Sequence, residues 1–312
     1  MEKKRIPELD MLKCLFIVLM VCFHLAWFSA KHPYAHAVVY TFHMPGFLII
    51  SGYLMNILKP VRQFARYLLF LIIPYLIMES GYIVMASILP INEHIDGLTP
   101  MLFIRKLLIS PVGPYWYLQT IILCETVYYL VFRYIRTSNI TRHILTGLLF
   151  YLLALALGRI SFFTYSMCFL AGAIIRQGGL RFTDIFKPSA LAIVPFIALI
   201  CFEKNLKPNT PGGIIIIYTA ISSALFLFQY ITGKAARLMQ YLGRNSLLIY
   251  IFSPIFTILC KFMIPYLSFD STGLLFMVIS VPVCVAGSLG IGYILDKMKL
   301  SPLMFGRDSS IS

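Results

Sequence analysis

The 312 residues are 60% hydrophobic and only 12% charged, and 26 Lys and Arg against 12 Asp and Glu leave a net charge of +14. A soluble domain averages about 45–50% apolar and about 25% charged residues. Too few polar groups exist here to cover a water-facing globule, so lipid is the solvent for much of the surface. The positive balance does not point to nucleic acid, because the basic residues form short groups between apolar runs rather than one patch.

A spanning helix needs roughly 20 mostly apolar residues. In chain order, ten apolar runs are predicted to be transmembrane helices: about 11–30, 37–57, 67–89, 115–132, 143–157, 160–175, 189–203, 213–231, 245–265 and 273–295. Gly158–Arg159 divides a stretch too long to cross once. Trp27, Phe28 and Lys31–His32–Pro33 follow the first run, with no small-residue cleavage site, so it reads as a retained helix rather than a signal peptide. The loop at about 90–114, with Pro90, Pro100, Pro111 and Pro114, is predicted to be an irregular cap with a short interfacial helix around Met101–Leu108.

The loop charges orient the bundle. Alternate loops carry Lys3, Lys4, Arg5; Lys59, Arg62, Arg66; Arg133, Arg136, Arg142; Arg176, Arg181, Lys187; Lys234, Arg237, Arg244; and Lys297, Lys299, Arg307. The other side carries Lys31, Arg105, Lys106, Arg159, Lys204, Lys207 and Lys261, while Lys13 lies inside the first run. Eighteen against seven places both termini in the cytoplasm and favours an even helix count. The expected fold is all-α and polytopic: one domain over residues 1–299 and a polar tail, 300–312, read as disordered. The seven cysteines sit in apolar runs without metal-type spacing and read as buried thiols, so no disulfide framework and no metal site is expected.

An ionisable group inside a spanning helix costs at least about 2.5–3.5 kcal/mol near its centre, so such groups are the first candidates for function. The first run holds Asp10, Lys13 and His24. Lys13 and His24 are eleven residues apart, about 20° around the helix and about 16 Å along it. Asp10 can pair with Lys13 one turn away. The pair reads as an interfacial ion pair or as part of a site; His24 reads as an interhelical hydrogen bond or as a general base. In the second run, His43 precedes Pro45–Gly46 and then Ser51–Gly52. His43 enters from the end that His24 approaches, which allows a proton-transfer pair. Pro45–Gly46 is expected to open the helix onto a cavity; an incidental histidine at a kink is the plainer reading. Tyr115, Trp116 and Tyr117 suit an outer aromatic belt, Glu125 is a packing partner or a site residue, and Ala171–Gly172–Ala173 suits close helix packing.

Together these segments resemble the acyltransferase-3 family of bacterial membrane acyltransferases. The resemblance rests on Lys13 spaced from His24, on His43–Met44–Pro45–Gly46–Phe47–Leu48–Ile49–Ile50–Ser51–Gly52–Tyr53–Leu54, on Trp116–Tyr117–Leu118, and on Gly243–Arg244–Asn245–Ser246–Leu247–Leu248–Ile249–Tyr250–Ile251–Phe252–Ser253. Three positions depart from the family's pattern: Lys13 for arginine, Ser253 for histidine, and Gly46 for leucine, the last expected to widen the cavity. The resemblance implies a multi-pass protein of the inner (plasma) membrane. It implies acyl transfer, chiefly of acetyl, from cytoplasmic acyl-CoA as co-substrate to a hydroxyl of a cell-surface saccharide or glycolipid, with no bound cofactor. On that reading His24 and His43 are catalytic, Lys13 and Asp10 bind the donor, and Ser51, Trp116, Glu125, Asn245 and Tyr250 support them. A lipid or glycolipid transporter, and an inactive partner in a polysaccharide-synthesis complex, are the competing readings.

Overall fold

The computed structural model describes residues 5–88 and 93–311, so Lys3, Lys4 and Pro90 lie outside the described residues. No strand occurs among the described residues. The helices are α1 (Pro7–His24), α2 (Ala26–Lys31), α3 (Pro33–Leu54), α4 (Val61–Ile88), α5 (Pro100–Leu108), α6 (Trp116–Tyr134), α7 (Asn139–Ala156) and α8 (Ile160–Gln177). They continue with α9 (Phe182–Ile185), α10 (Ile193–Ile200), α11 (Pro211–Phe228), α12 (Gly233–Arg244), α13 (Ser246–Leu259), α14 (Ile264–Leu267), α15 (Leu274–Lys297) and α16 (Ser301–Phe305).

Each predicted run contains a helix. Among the described residues seven helical stretches are long and apolar enough to cross a membrane, and α5 with Gly113–Tyr134, bent by 45°, makes an eighth if the bent pair counts as one span. The first run differs because α1 carries Glu8, Asp10 and Lys13. The run at 189–203 forms only a short apolar segment, Ala190–Ile200, below the length a single crossing needs. Pro188 precedes it and the polar turn Glu203–Asn205 follows, so its apolar residues cannot extend into a longer helix. The expected short helix in this loop is present as α5, capped by Thr99, whose hydroxyl accepts from the Leu102 N–H at 3.2 Å.

At the basic end, Arg5 and Arg307 line one cavity, so the two termini meet there. At the opposite end, the Lys31 ammonium donates to the Ser271 carbonyl at 2.7 Å and His32 donates to the Thr272 carbonyl at 2.9 Å. These bonds tie the α2–α3 corner to the loop before α15. That loop is built on Asp270, which accepts from the Thr272 hydroxyl at 2.6 Å and the Leu275 N–H at 2.7 Å. These bonds hold its carboxyl below the usual carboxylate range, at about 2.

α1 is central and touches α3, α11, α12, α13 and α15. Leu12, Phe16, Ile17 and Val21 along it are almost fully buried. Helix α7 is peripheral: Ile144, Leu148, Leu152 and Leu155 form an exposed stripe at helical spacing, the face offered to lipid. Glycines set the closest crossings. A Cβ on Gly52 would stand 1.9 Å from the Phe169 carbonyl oxygen, and one on Gly172 would stand 1.9 Å from that of Ile49. The α3–α8 pair therefore meets backbone to backbone, as small residues in membrane helices permit. Gly243 likewise brings α12 against α1, where a Cβ would stand 1.7 Å from the Asp10 carbonyl oxygen.

Three expectations are corrected. Helix α3 continues through Pro45–Gly46 without opening, although Pro45 has no N–H to donate to the Thr41 carbonyl. The 300–312 tail is ordered over its described residues: α16 forms, and Ser301 and Ser310 are buried. The Asp296 carboxylate holds it, accepting from Ser310 N–H at 2.6 Å and the Ser309 hydroxyl at 2.9 Å. Cys201 is exposed at the end of α10, unlike the buried Cys14, Cys22, Cys124, Cys260 and Cys284.

Candidate active site

On α1, Lys13 Nζ lies 2.6 Å from Asp10 Oδ1, one helical turn away. Beyond this pair a cavity of about 270 Å³ runs into the bundle from the basic end. Its wall includes Lys13 and Met20 of α1, Met44 and Ser51 of α3, Tyr117 and Glu125 of α6, and Tyr250 of α13. Residues far apart in sequence thus converge on one channel. The Ser51 hydroxyl lies 3.3 Å from the Tyr117 hydroxyl. Tyr67 donates to Glu125 Oε1 at 3.0 Å, while Glu125 Oε2 is buried with no partner among the described residues. Tyr250 donates its hydroxyl to the Pro114 carbonyl and so keeps its ring against the channel.

At its basic end the channel adjoins a vestibule of about 440 Å³ that also includes Lys13. Arg5, Lys13, Arg176, Arg244 and Arg307 surround it, with Asp10 the one carboxylate on its wall among the described residues. Like charges gather at this density where an anion is to be held.

A third cavity, about 510 Å³, opens at the opposite end. His24, His36, Tyr40, Glu93, Trp116 and Lys261 are on its wall. His24 Nδ1 lies 2.7 Å from the Met20 carbonyl oxygen. A carbonyl only accepts, so Nδ1 carries the proton and Nε2 keeps its lone pair. His43 repeats the pattern: Nδ1 donates to the Val39 carbonyl at 2.7 Å, and Nε2 is buried with no partner among the described residues. Tyr40 stands beside both imidazoles. Its ring meets His43 edge-on at 4.7 Å, and its hydroxyl lies 3.4 Å from His24 Nδ1.

The structure therefore divides the expected site between two cavities. Lys13, Ser51, Glu125 and Tyr250 face the channel; His24 and Trp116 face the outer cavity; His43 is fully buried. Met20, on the channel wall, and His24, on the outer wall, are one helical turn apart, about 6 Å. Trp116 packs on Tyr165 at 4.7 Å between ring centroids and so belongs to a pocket wall as well as to an aromatic belt. Asn245 is buried in the α12–α13 turn, donating to the Tyr241 carbonyl at 2.9 Å. Ser253 is buried beside Pro254, which lines the outer cavity. Gly46 does not widen the channel, because the Phe16 ring would lie 2.5 Å from a Cβ there and fills the space.

Sequence reasoning missed Tyr40, His36, Tyr67 and the arginine group. His36 and Tyr40 are one turn apart on α3, with rings stacked at 4.0 Å, and His43 lies three residues further, a periodicity that was available in the sequence. Arg244 sits inside the Gly243–Asn245 segment but reads as an ordinary loop charge until α12 is docked on α1.

An all-α multi-pass membrane protein with opposed cavities and ionisable groups inside its helices belongs to the enzymes and carriers that work within the bilayer. The comparison of families decides between these classes: the acyltransferase-3 family, described as an acyltransferase domain, matches residues 6–293. The chain belongs to that family and is a membrane acyltransferase. No curated protein and no solved structure matches it.

Proposed function

We propose that the protein transfers a short acyl group, acetyl first among them, from acyl-CoA to a hydroxyl of a cell-surface saccharide or glycolipid. One observation carries this reading. A cation-lined channel from one end and a histidine-bearing cavity from the other approach to within a helical turn on α1. The donor's phosphates suit the vestibule, with Lys13 held in place by Asp10. Its acyl-bearing arm suits the narrow channel past Ser51 and Tyr117 toward Met20 and Met44, whose flexible side chains form a wall that rotates without strain. The acceptor suits the outer cavity, where Trp116 and Tyr40 offer faces for a sugar ring.

A sugar hydroxyl is a poor nucleophile until a base takes its proton. In this mechanism His24 Nε2 accepts that proton as the oxygen bonds to the thioester carbon. The carbon–sulfur bond then breaks, and the proton passes from the imidazolium to the departing thiolate. His43 Nε2 is a second base, and Tyr40 bridges the two imidazoles. By chemical class the donor and acceptor meet in the bilayer, in the inner membrane of the cell, and the basic end faces the cytoplasm. The test is acetyl-CoA-dependent acylation by purified His24→Ala protein that inserts and unfolds like the wild type. A rate loss of about 10²–10⁴ is expected; full activity removes His24 from the mechanism. Cavities at both ends also suit a lipid or glycolipid carrier, and counterflow of labelled substrate without chemical change would establish that second reading.

A further inference from the structure

We propose that residues 300–311, outside the matched family domain, form a strap that completes the donor site, with Arg307 binding phosphate. The proposal rests on the donor reading above and extends it to the nucleotide end of the donor.

The strap is docked by a defined set of contacts. The Asp296 carboxylate accepts from the Ser301 hydroxyl, from the Ser309 hydroxyl at 2.9 Å, and from the N–H groups of Ser310 at 2.6 Å and Ile311 at 3.3 Å. Ser310 also donates to the Gly292 carbonyl at 3.1 Å. Between these anchors α16 ends at Gly306, whose φ of +62° lies in the left-handed region that favours glycine. The Phe70 ring would stand 2.0 Å from a Cβ there. A tail with no role in a site needs none of this, and the next residue is Arg307.

Arg307 lines two cavities at once. One is the vestibule; the other, about 310 Å³, lies between α4, α13 and the strap, with Arg66, Phe70, Arg244 and Phe305 on its wall. That volume falls at the lower end of the about 300–1,000 Å³ typical of small-molecule sites. Arg244 also lines both cavities, and its Nε is buried with no partner among the described residues. Among the described residues no carboxylate side chain lines the second cavity, whereas Arg66, Arg244 and Arg307 do. Guanidinium groups pair with phosphate through two parallel hydrogen bonds, and Phe70 and Phe305 supply apolar faces for a base. The second cavity meets the channel through Tyr67, Leu71 and Leu247. The ligand class is an anion with separated phosphates joined to an aromatic base and to a narrow arm: the nucleotide end of coenzyme A. An anionic phospholipid headgroup offers the same phosphate chemistry from another source, and the test separates the two.

The experiment is calorimetric titration of coenzyme A into full-length protein in nanodiscs, made once with zwitterionic lipid alone and once with anionic lipid added. The wild type is expected to bind in both. Arg307→Gln is expected to weaken binding at least about tenfold, Arg307→Lys to restore part of it, and Asp296→Asn, which releases the strap, to resemble Arg307→Gln. Wild-type binding with undiminished affinity in all three variants overturns the strap and leaves the acyltransferase reading intact. Loss of stabilisation by anionic lipid in Arg307→Gln, with coenzyme A affinity unchanged, assigns the group to a headgroup and also overturns it. Failure of the wild type to bind coenzyme A in either nanodisc overturns the strap together with the donor reading. Thermal unfolding of each variant shows whether a lost titration reflects a lost fold.

Discussion

His43 separates structural from chemical roles at the residue scale. Its Nδ1 is spent on a carbonyl of its own helix, and its Nε2 is buried without a partner. A buried polar atom left unbonded costs stability rather than supplying it. Replacing His43 by Leu should therefore leave thermal unfolding near that of the wild type, while transfer falls by about 10² if the imidazole handles a proton. A His43 kept only for packing would show the reverse, and unfolding curves beside transfer rates distinguish the two. Gly46 offers a second residue-scale test. The Phe16 ring stands where a side chain at 46 would go, so Gly46→Leu alone should destabilise by about 1–3 kcal/mol, the usual cost of overpacking. Adding Phe16→Ala should recover part of that loss, a coupling that a double-mutant cycle measures.

Glycine placement sorts the elements into those locked together and those with room. Gly243 holds α12 on the Asp10 backbone, and Asp10 in turn holds Lys13. Gly243→Ala should push the helices apart, lower the unfolding temperature and raise the donor KM, because it displaces the ion pair at the channel mouth. Gly81 and Gly290, inside α4 and α15, have open space around a Cβ. Alanine there should be neutral or stabilising by up to about 1 kcal/mol. Equal losses of stability at 243, 81 and 290 would show that helix propensity, not close approach, sets these positions. The same contrast explains what the sequence made legible. The long runs of α3, α4, α8, α11 and α15 were legible because apolar length is a local property. The strap was not, because a short segment carrying Arg307–Asp308–Ser309–Ser310 reads as a solvated tail until one carboxylate, Asp296, captures it.

Over the whole molecule, the cavities follow the polarity that the alternating loop charges predict: arginines gather at one mouth and histidines at the other. The pairing of Lys13 with Asp10 was legible from spacing, as was the presence of His24 and His43 within spans. Their separation into two cavities was not, because it depends on how the helices pack and not on local spacing: Met20 lines the channel while His24, one turn on, lines the outer cavity. This polarity makes a vectorial prediction. The protein is reconstituted into sealed vesicles in one orientation, with acyl-CoA, which does not cross lipid, confined to one side and the acceptor to the other. Transfer should proceed when acyl-CoA faces the mouth lined by Arg5, Arg176 and Arg307, and fall to background when it faces the mouth lined by His36 and Lys261. Raising the salt should increase the donor KM with little change in kcat, since the exposed arginines act over a Debye length of about 8–10 Å near physiological ionic strength. Equal rates from either side would mean that both substrates enter by one mouth, and that the wall between Met20 and His24 is not crossed in the reaction.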